Sequence, residues 1–270
     1  MSYKPELKKE LIRLKKFYDN LASDKKYATS LDINLRELEI DGIKKYLNDG
    51  IRVLDIGCGN GYSTYKHAEE FKIEIIGCDY SDQMIQNAKN LPHHKELKGN
   101  ISFCCANVLE IPFPDNYFDR VISTRCLMAL LDWDLQKNAL KELFRVLKPN
   151  GLLLLQEGTF QGLEKLNKTR EEFGLDPISV YDYRWPTLKF DESKLISFCK
   201  DYYHLDKIHR FGMYYFISRV IHPLLVYPEA PKNDAEINKI ARQIALKIPD
   251  YKDLGHLAFF VFRKKDRKFS

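Results

Sequence analysis

The chain turns on nine residues, Val53-Leu54-Asp55-Ile56-Gly57-Cys58-Gly59-Asn60-Gly61, in which three glycines at alternate positions follow directly on a short apolar run. Glycine weakens strand and helix interiors, so three this close mark a loop that must reach positive φ or admit a near neighbour. The run before them has the length and β-branched content of a buried strand, and Tyr62-Ser63 opens a helical stretch behind them. Strand, glycine loop and helix in that order make a place where a ligand meets the carboxyl end of a sheet.

Outward from this loop the pattern alternates. Apolar runs at 51–56, 73–78, 101–105, 119–123 and 151–156 predict strands, and helical stretches at 62–71, 82–90 and 134–147 separate them. The alternation predicts an α/β fold, with a mostly parallel sheet and helices on both faces. Pro149-Asn150-Gly151 reads as the turn that ends the third of these helices. Upstream, Leu7, Leu11, Leu14, Tyr18 and Leu21 recur at steps of four and three and predict an amphipathic helix. Its other face carries Lys8, Lys9, Arg13, Lys15 and Lys16, which suits a solvated face, a lid over a ligand or a dimer contact. A second helix is expected from Leu35 to Leu47.

After Glu157 the rhythm breaks. Residues 158–192 are polar and aromatic, and they include Tyr181-Asp182-Tyr183-Arg184-Trp185-Pro186. A helix from Glu192 to Tyr202, a strand near His204–Arg210, a helix-like insert ending Ile217-Ser218-Arg219-Val220-Ile221-His222-Pro223, a helix at 234–247 and a strand from His256 complete the chain. The expected organisation is a helical cap over residues 1–50 and a core over 51–270, with insertions at about 158–192 and 211–250, all in one domain.

Composition bounds the function. The chain is 270 residues long, 44% hydrophobic and 30% charged, as an ordinary globular protein is. A net charge of +5, concentrated at the chain ends, makes no case for nucleic acid. No apolar run is long enough to span a membrane, and the N-terminus lacks the apolar core of a secretion signal. The six cysteines form no C-x-x-C pair and read as buried free thiols in a reducing cytoplasm.

The glycine motif Asp55-x-Gly57-x-Gly59-x-Gly61, Asp79 after the second strand, Phe118-Asp119-Arg120-Val121 and Leu147-Lys148-Pro149-Asn150-Gly151 follow in order. Together they resemble class I S-adenosylmethionine-dependent methyltransferases over about a hundred residues. The resemblance implies a doubly wound, Rossmann-like, seven-stranded sheet and S-adenosyl-L-methionine as cofactor, with S-adenosyl-L-homocysteine as product and no metal. It also implies a cofactor site. Asp55, Gly57, Cys58, Gly59 and Gly61 would form the loop, and Asp79 would hold both ribose hydroxyls, since a carboxylate offers two acceptor oxygens. Met84 would lie near the adenine and Asn107 would contact its amino group, and Tyr80 and Val108 would also bind the cofactor. The family commonly has Asp where Asn107 stands, and an amide oxygen still accepts a hydrogen bond from the adenine amino group. Tyr18 and Arg125 would complete the site. Arg36 would either reach the cofactor carboxylate or pair with Glu39 on the helix surface.

In such enzymes the acceptor pocket usually draws on the N-terminal segment, the loop after the fourth strand and the late insertions. Here these are Tyr18 and Tyr27, Arg125 and Cys126, and residues 158–190 and 211–232. The catalytic candidates are His222 as base, with Tyr183 and Arg219; Arg184 and Arg219 suit an anionic group. His67, His93 and His94 read as surface histidines, and His256 as a core or sheet-end one. A looser resemblance joins the chain to bacterial methyltransferases of surface-polysaccharide clusters. The cues are Phe17-Tyr18-Asp19-Asn20-Leu21-Ala22, Asn34 to Ile40, Ile217 to Pro223 and the closing Gly255 to Lys265. It implies a small-molecule acceptor, a sugar, nucleotide-sugar or phosphorylated precursor, methylated at oxygen or nitrogen by a monomer or homodimer. RNA as acceptor, through Lys25-Lys26 and the basic tail from Arg263, is a second reading. A non-catalytic cofactor-binding partner is a third.

Overall fold

The computed structural model describes residues 5–23, 31–93, 95–179, 187–249 and 251–266. Seven strands form one sheet: β1 (Arg52–Ile56), β2 (Glu74–Asp79), β3 (Asn100–Cys105), β4 (Phe118–Thr124), β5 (Leu147–Gly158), β6 (Tyr203–Arg210) and β7 (Leu257–Lys264). Their order is β3-β2-β1-β4-β5-β7-β6, parallel through β5 and antiparallel at β7. This is the doubly wound, mostly parallel, seven-stranded Rossmann-like sheet that the sequence predicts. Chain order reverses between β1 and β4, so the carboxyl ends of these strands open a crevice.

The ten helices among the described residues are α1 (Pro5–Ser23), α2 (Ile33–Lys44), α3 (Tyr62–Glu70), α4 (Asp82–Lys89), α5 (Trp133–Val146), α6 (Phe160–Glu172), α7 (Glu192–Cys199), α8 (Gly212–Phe216), α9 (His222–Val226) and α10 (Glu236–Lys247). The central strands are apolar on both sides because successive side chains face opposite layers. Leu153, Leu155, Phe260 and Phe262 pack with α5 and α7 on one face. Leu152, Leu154, Phe259 and Val261 pack with α2, α6, α8 and α10 on the other. The edge strands β3 and β6 are the ones with mixed burial.

Three local readings need correction. Residues 158–192 hold a helix, α6, capped by Thr159, whose side chain accepts from the Gly162 N–H. Its thin apolar stripe of Leu163 and Leu166 hid it. Pro149-Asn150-Gly151 does not separate helix from strand. β5 begins at Leu147 and runs through it, with Asn150 at φ +61° and a register shift opposite Phe118 to Arg120. Between α8 and α9 the chain makes a π-helical turn, Ile217–Ile221. Of the cysteines, Cys58, Cys78 and Cys199 are buried, but Cys104 and Cys126 are half-buried and Cys105 is exposed. No helix of the described residues is long and apolar enough to cross a membrane.

Candidate active site

The crevice widens into a cavity of about 410 Å³ at the carboxyl ends of β1, β2 and β4, walled on one side by α1 and α2. Asp55, Gly57, Cys58, Gly59, Asp79, Tyr80, Met84, Asn107, Val108, Arg125, Arg36 and Tyr18 all line it. Residues spread over more than a hundred positions thus meet in one space.

The glycines divide their labour. All three have positive φ, +76° at Gly57, +55° at Gly59 and +76° at Gly61. A Cβ on Gly57 would stand 2.6 Å from Cys126 Cβ, and one on Gly61 would stand 2.8 Å from the Phe103 ring. Gly61 caps α3 and does not line the cavity. Read in the sequence as part of the cofactor loop, it is required here by packing. The Gly57 and Cys58 N–H groups both donate to the Cys78 carbonyl, tying the loop to β2. That leaves Gly59 as the bare backbone facing inward.

Asp79 anchors the centre. One oxygen accepts from the Gly59 N–H and the other from the Ser81 N–H, each at 2.9 Å. Burial raises its carboxyl, which these hydrogen bonds oppose. A carboxylate has about four lone-pair sites, so two remain for a ligand. Asp55 accepts from Thr64 Oγ1 at 2.6 Å, and burial pushes it up to about 6. Asn107 turns its Oδ1 onto the Leu109 N–H at 3.0 Å, closing its own turn with one lone pair left over.

Arg36 lines the same cavity. It is buried, donates to Asn60 Oδ1 at 3.1 Å and stacks 4.2 Å from the Tyr62 ring centroid. Glu39 pairs instead with Arg125, at 3.1 Å. Arg125 itself follows β4 directly, at φ +53°, a conformation costly for a side-chain-bearing residue. Tyr18, Leu14 and Leu11 come down from α1, which is held to α4 by Lys15 on Asp82 at 2.6 Å and by Asn87 on the Ala22 carbonyl at 2.7 Å.

The catalytic candidates fare differently. His222 does not line the cavity; it is buried behind the π-helical turn, beside Asn238 of α10. His222, read in the sequence as the base, thus stands outside the cavity lining. Arg219 does line the cavity, with its guanidinium paired to Asp32, the residue that caps α2 and accepts from Tyr214 Oη at 2.6 Å. Tyr183, with Arg184 and the rest of 180–186, lies outside the described residues, as do Tyr27 and Lys25-Lys26.

Two acids and a histidine were missed. Glu157 is fully buried and accepts from the Leu127 and Met128 N–H groups at 2.8 and 3.1 Å, which fixes the turn Leu127–Ala129 in the cavity wall; burial pushes it up to about 8. Glu39 has no sequence signal beyond its place on α2. His256, read as a sheet-end residue, stands there but also faces the cavity. His67, read as a surface residue, is completely buried with neither ring nitrogen hydrogen-bonded. Among the described residues no cluster of three metal-ligating side chains forms.

The chain resembles known proteins along two lines. Residues 47–180 match the family model described as "Methyltransferase domain". The ubiquinone/menaquinone biosynthesis C-methyltransferases of Vibrio cholerae and Yersinia enterocolitica are 36% identical over 126 residues and 32% over 138. These matches take in 46% and 50% of this chain, and the chain spans about half the length of these relatives, 47% and 52%. By structure, Haemonchus contortus phosphoethanolamine N-methyltransferase 1 aligns with a TM-score of 0.63 at 17% identity, over 97% of this chain and 50% of that one. A possible histamine N-methyltransferase of Thermotoga maritima aligns at 0.58 and 18%, over 93% and 99%. The [4+2]-cyclase SpnF aligns at 0.53 and 22%, over 85% and 81%, so the fold alone does not fix the reaction. Over residues 47–180 the chain is therefore similar to a methyltransferase domain, and it carries that domain on a Rossmann-like sheet shared with S-adenosylmethionine-dependent methyltransferases.

Proposed function

We propose that the protein transfers the methyl group of S-adenosylmethionine to a small-molecule acceptor held at the β4 and β5 end of the cavity. The observation that carries this reading is the convergence of Asp79, Gly59 and Arg36 on one cavity. The residues fit the cofactor. Asp79 has acceptor capacity left for two ribose hydroxyls, Met84, Ala106 and Val108 offer an apolar slot for a ring, and Arg36 is a buried cation for a carboxylate. When bound, the cofactor supplies an electrophilic methyl on a positively charged sulfur.

The protein's own part is then to hold an acceptor in line and keep water out, which supplies much of the rate. Leu11, Leu14 and Tyr18 of α1 would act as the lid over that space. Residues 1–50 as a cap and 51–270 as a core with insertions remain our reading of the organisation. The acceptor class stays a small molecule. The sequence resemblance favours a glycan precursor, while the relatives found here are named for C-methylation in quinone biosynthesis. Methyl transfer from labelled S-adenosylmethionine to a panel of sugar phosphates, nucleotide sugars and quinone precursors tests it. A labelled product from any of these supports the reading. S-adenosylhomocysteine binding without product from any class would favour the non-catalytic partner.

A further inference from the structure

The end of the cavity away from Asp79 is built around the imidazole of His256. His256 directly precedes β7, and no hydrogen bond to its ring nitrogens occurs among the described residues. Its ring packs edge-on against Tyr215 at 5.0 Å, and Tyr215 is seated against Gly255, where a Cβ would stand 2.0 Å from the ring. Three cations face the same spot from three elements: Arg125 from the end of β4, Arg219 from the π-helical turn and Lys189 from the segment before Phe190. That segment is pinned, with the Leu188 N–H on the Met128 carbonyl at 2.7 Å and the Phe190 N–H on Gly158 at 2.8 Å. A Cβ on Gly158 would lie 3.4 Å from Lys189 Cγ and 3.5 Å from the His256 carbonyl, so the two residues flank the tip of β5.

Resting on the methyl-transfer reading, we propose that this end takes an acceptor bearing a phosphate or carboxylate beside a hydroxyl, with Lys189 and Arg219 on the anion and His256 as the base for the hydroxyl. In the transfer the hydroxyl oxygen bonds to the methyl carbon as the carbon–sulfur bond breaks, and that electron pair stays on sulfur. The hydroxyl proton passes to a ring nitrogen of His256 and on to water. Electrostatics links the two roles. Burial and the three cations push His256 down to about 3, which keeps it neutral but makes it a weak base. An anion entering among these cations offsets them and raises its basicity, so the base is armed only when a charged acceptor is present.

The test is histidine NMR on the protein saturated with S-adenosylhomocysteine, with the His256 signal assigned from His256→Asn. Inorganic phosphate and acetate are the probes, in separate arms that distinguish a phosphoryl from a carboxylate acceptor. Either anion is expected to raise the His256 titration by about one unit or more. Lys189→Met should weaken binding of that anion about tenfold, as loss of one charge-assisted contact does. His256→Asn should leave S-adenosylhomocysteine affinity within about threefold, under half a decade in equilibrium constant. S-adenosylhomocysteine binding with no effect of either anion on His256 overturns the proposal alone. Failure of S-adenosylhomocysteine to bind overturns the reading beneath it.

Discussion

Asp79 has two duties at once, holding the backbone of Gly59 and Ser81 and keeping lone pairs for a ligand. Asp79→Asn keeps the shape but removes the charge and one acceptor oxygen. It should weaken S-adenosylhomocysteine binding by roughly 10- to 100-fold, in line with lost hydrogen bonds to a charged group. Calorimetric titration of the variant checks this, and wild-type affinity would remove Asp79 from the site. His67 gives a different kind of test. Buried without partners, it is pushed down to about 3, whereas an unfolded histidine protonates near 6.5. Below that upper value the unfolded chain binds the extra proton, so stability is full above pH 6.5 and falls as pH drops toward 3. Between pH 6.5 and 4.5 the loss from this group is roughly 2 to 3 kcal/mol. Urea midpoints of His67→Phe should be flatter over that range than wild type; an equal slope would place the acid sensitivity elsewhere. Residues of this kind mark the limit of reading a sequence. Asp79 and Gly59 were legible because their chemistry depends on spacing along one strand and loop. His67, His256 and Glu157 were not, because their surroundings come from distant segments: the charge of Lys44 for one, those of Arg219 and Lys189 for the next, the backbone of the turn after β4 for the third.

At the scale of elements, the strands were the clearest part, since a run buried on both faces is continuous in sequence. The late elements were harder. α6 has a polar exterior and few apolar positions, and the π-helical turn holds Arg219, which lines the cavity, just ahead of His222, which does not. No periodicity of 3.6 foresees such an offset. Two elements invite direct tests. α7 and β6 are tied by Arg210, whose guanidinium donates to both oxygens of Glu192 at 2.7 and 2.6 Å. Glu192→Ala leaves that mostly buried guanidinium without its main partner and should cost roughly 2 to 4 kcal/mol, read as a shift in the denaturation midpoint. α1 meets the rest chiefly through α4 and the cavity wall. Removing residues 1–23 should speed S-adenosylhomocysteine release about tenfold or more while the sheet's cooperative unfolding persists. Unchanged release, measured by stopped-flow displacement, would deny α1 the part of a lid.

For the whole molecule, the account joins one sheet to one cavity. The order β3-β2-β1-β4-β5-β7-β6 opens a crevice between β1 and β4, and α1 and α2, which precede the core, wall one side of it. Asp119 shows how far the same motifs also serve the fold: it accepts from the Arg52 N–H at 2.9 Å and from Lys148 Nζ at 2.8 Å, joining β1, β4 and β5 at the end opposite the cavity. Part of the family pattern is therefore scaffold and part is site. The central claim concerns the site, and calorimetric titration of the full chain with S-adenosylhomocysteine tests it most directly, with NAD⁺ as the comparison. The account predicts saturable binding of about micromolar strength for the first, near −8 kcal/mol, and none for the second. Heat from NAD⁺ alone, or from neither, would contradict it.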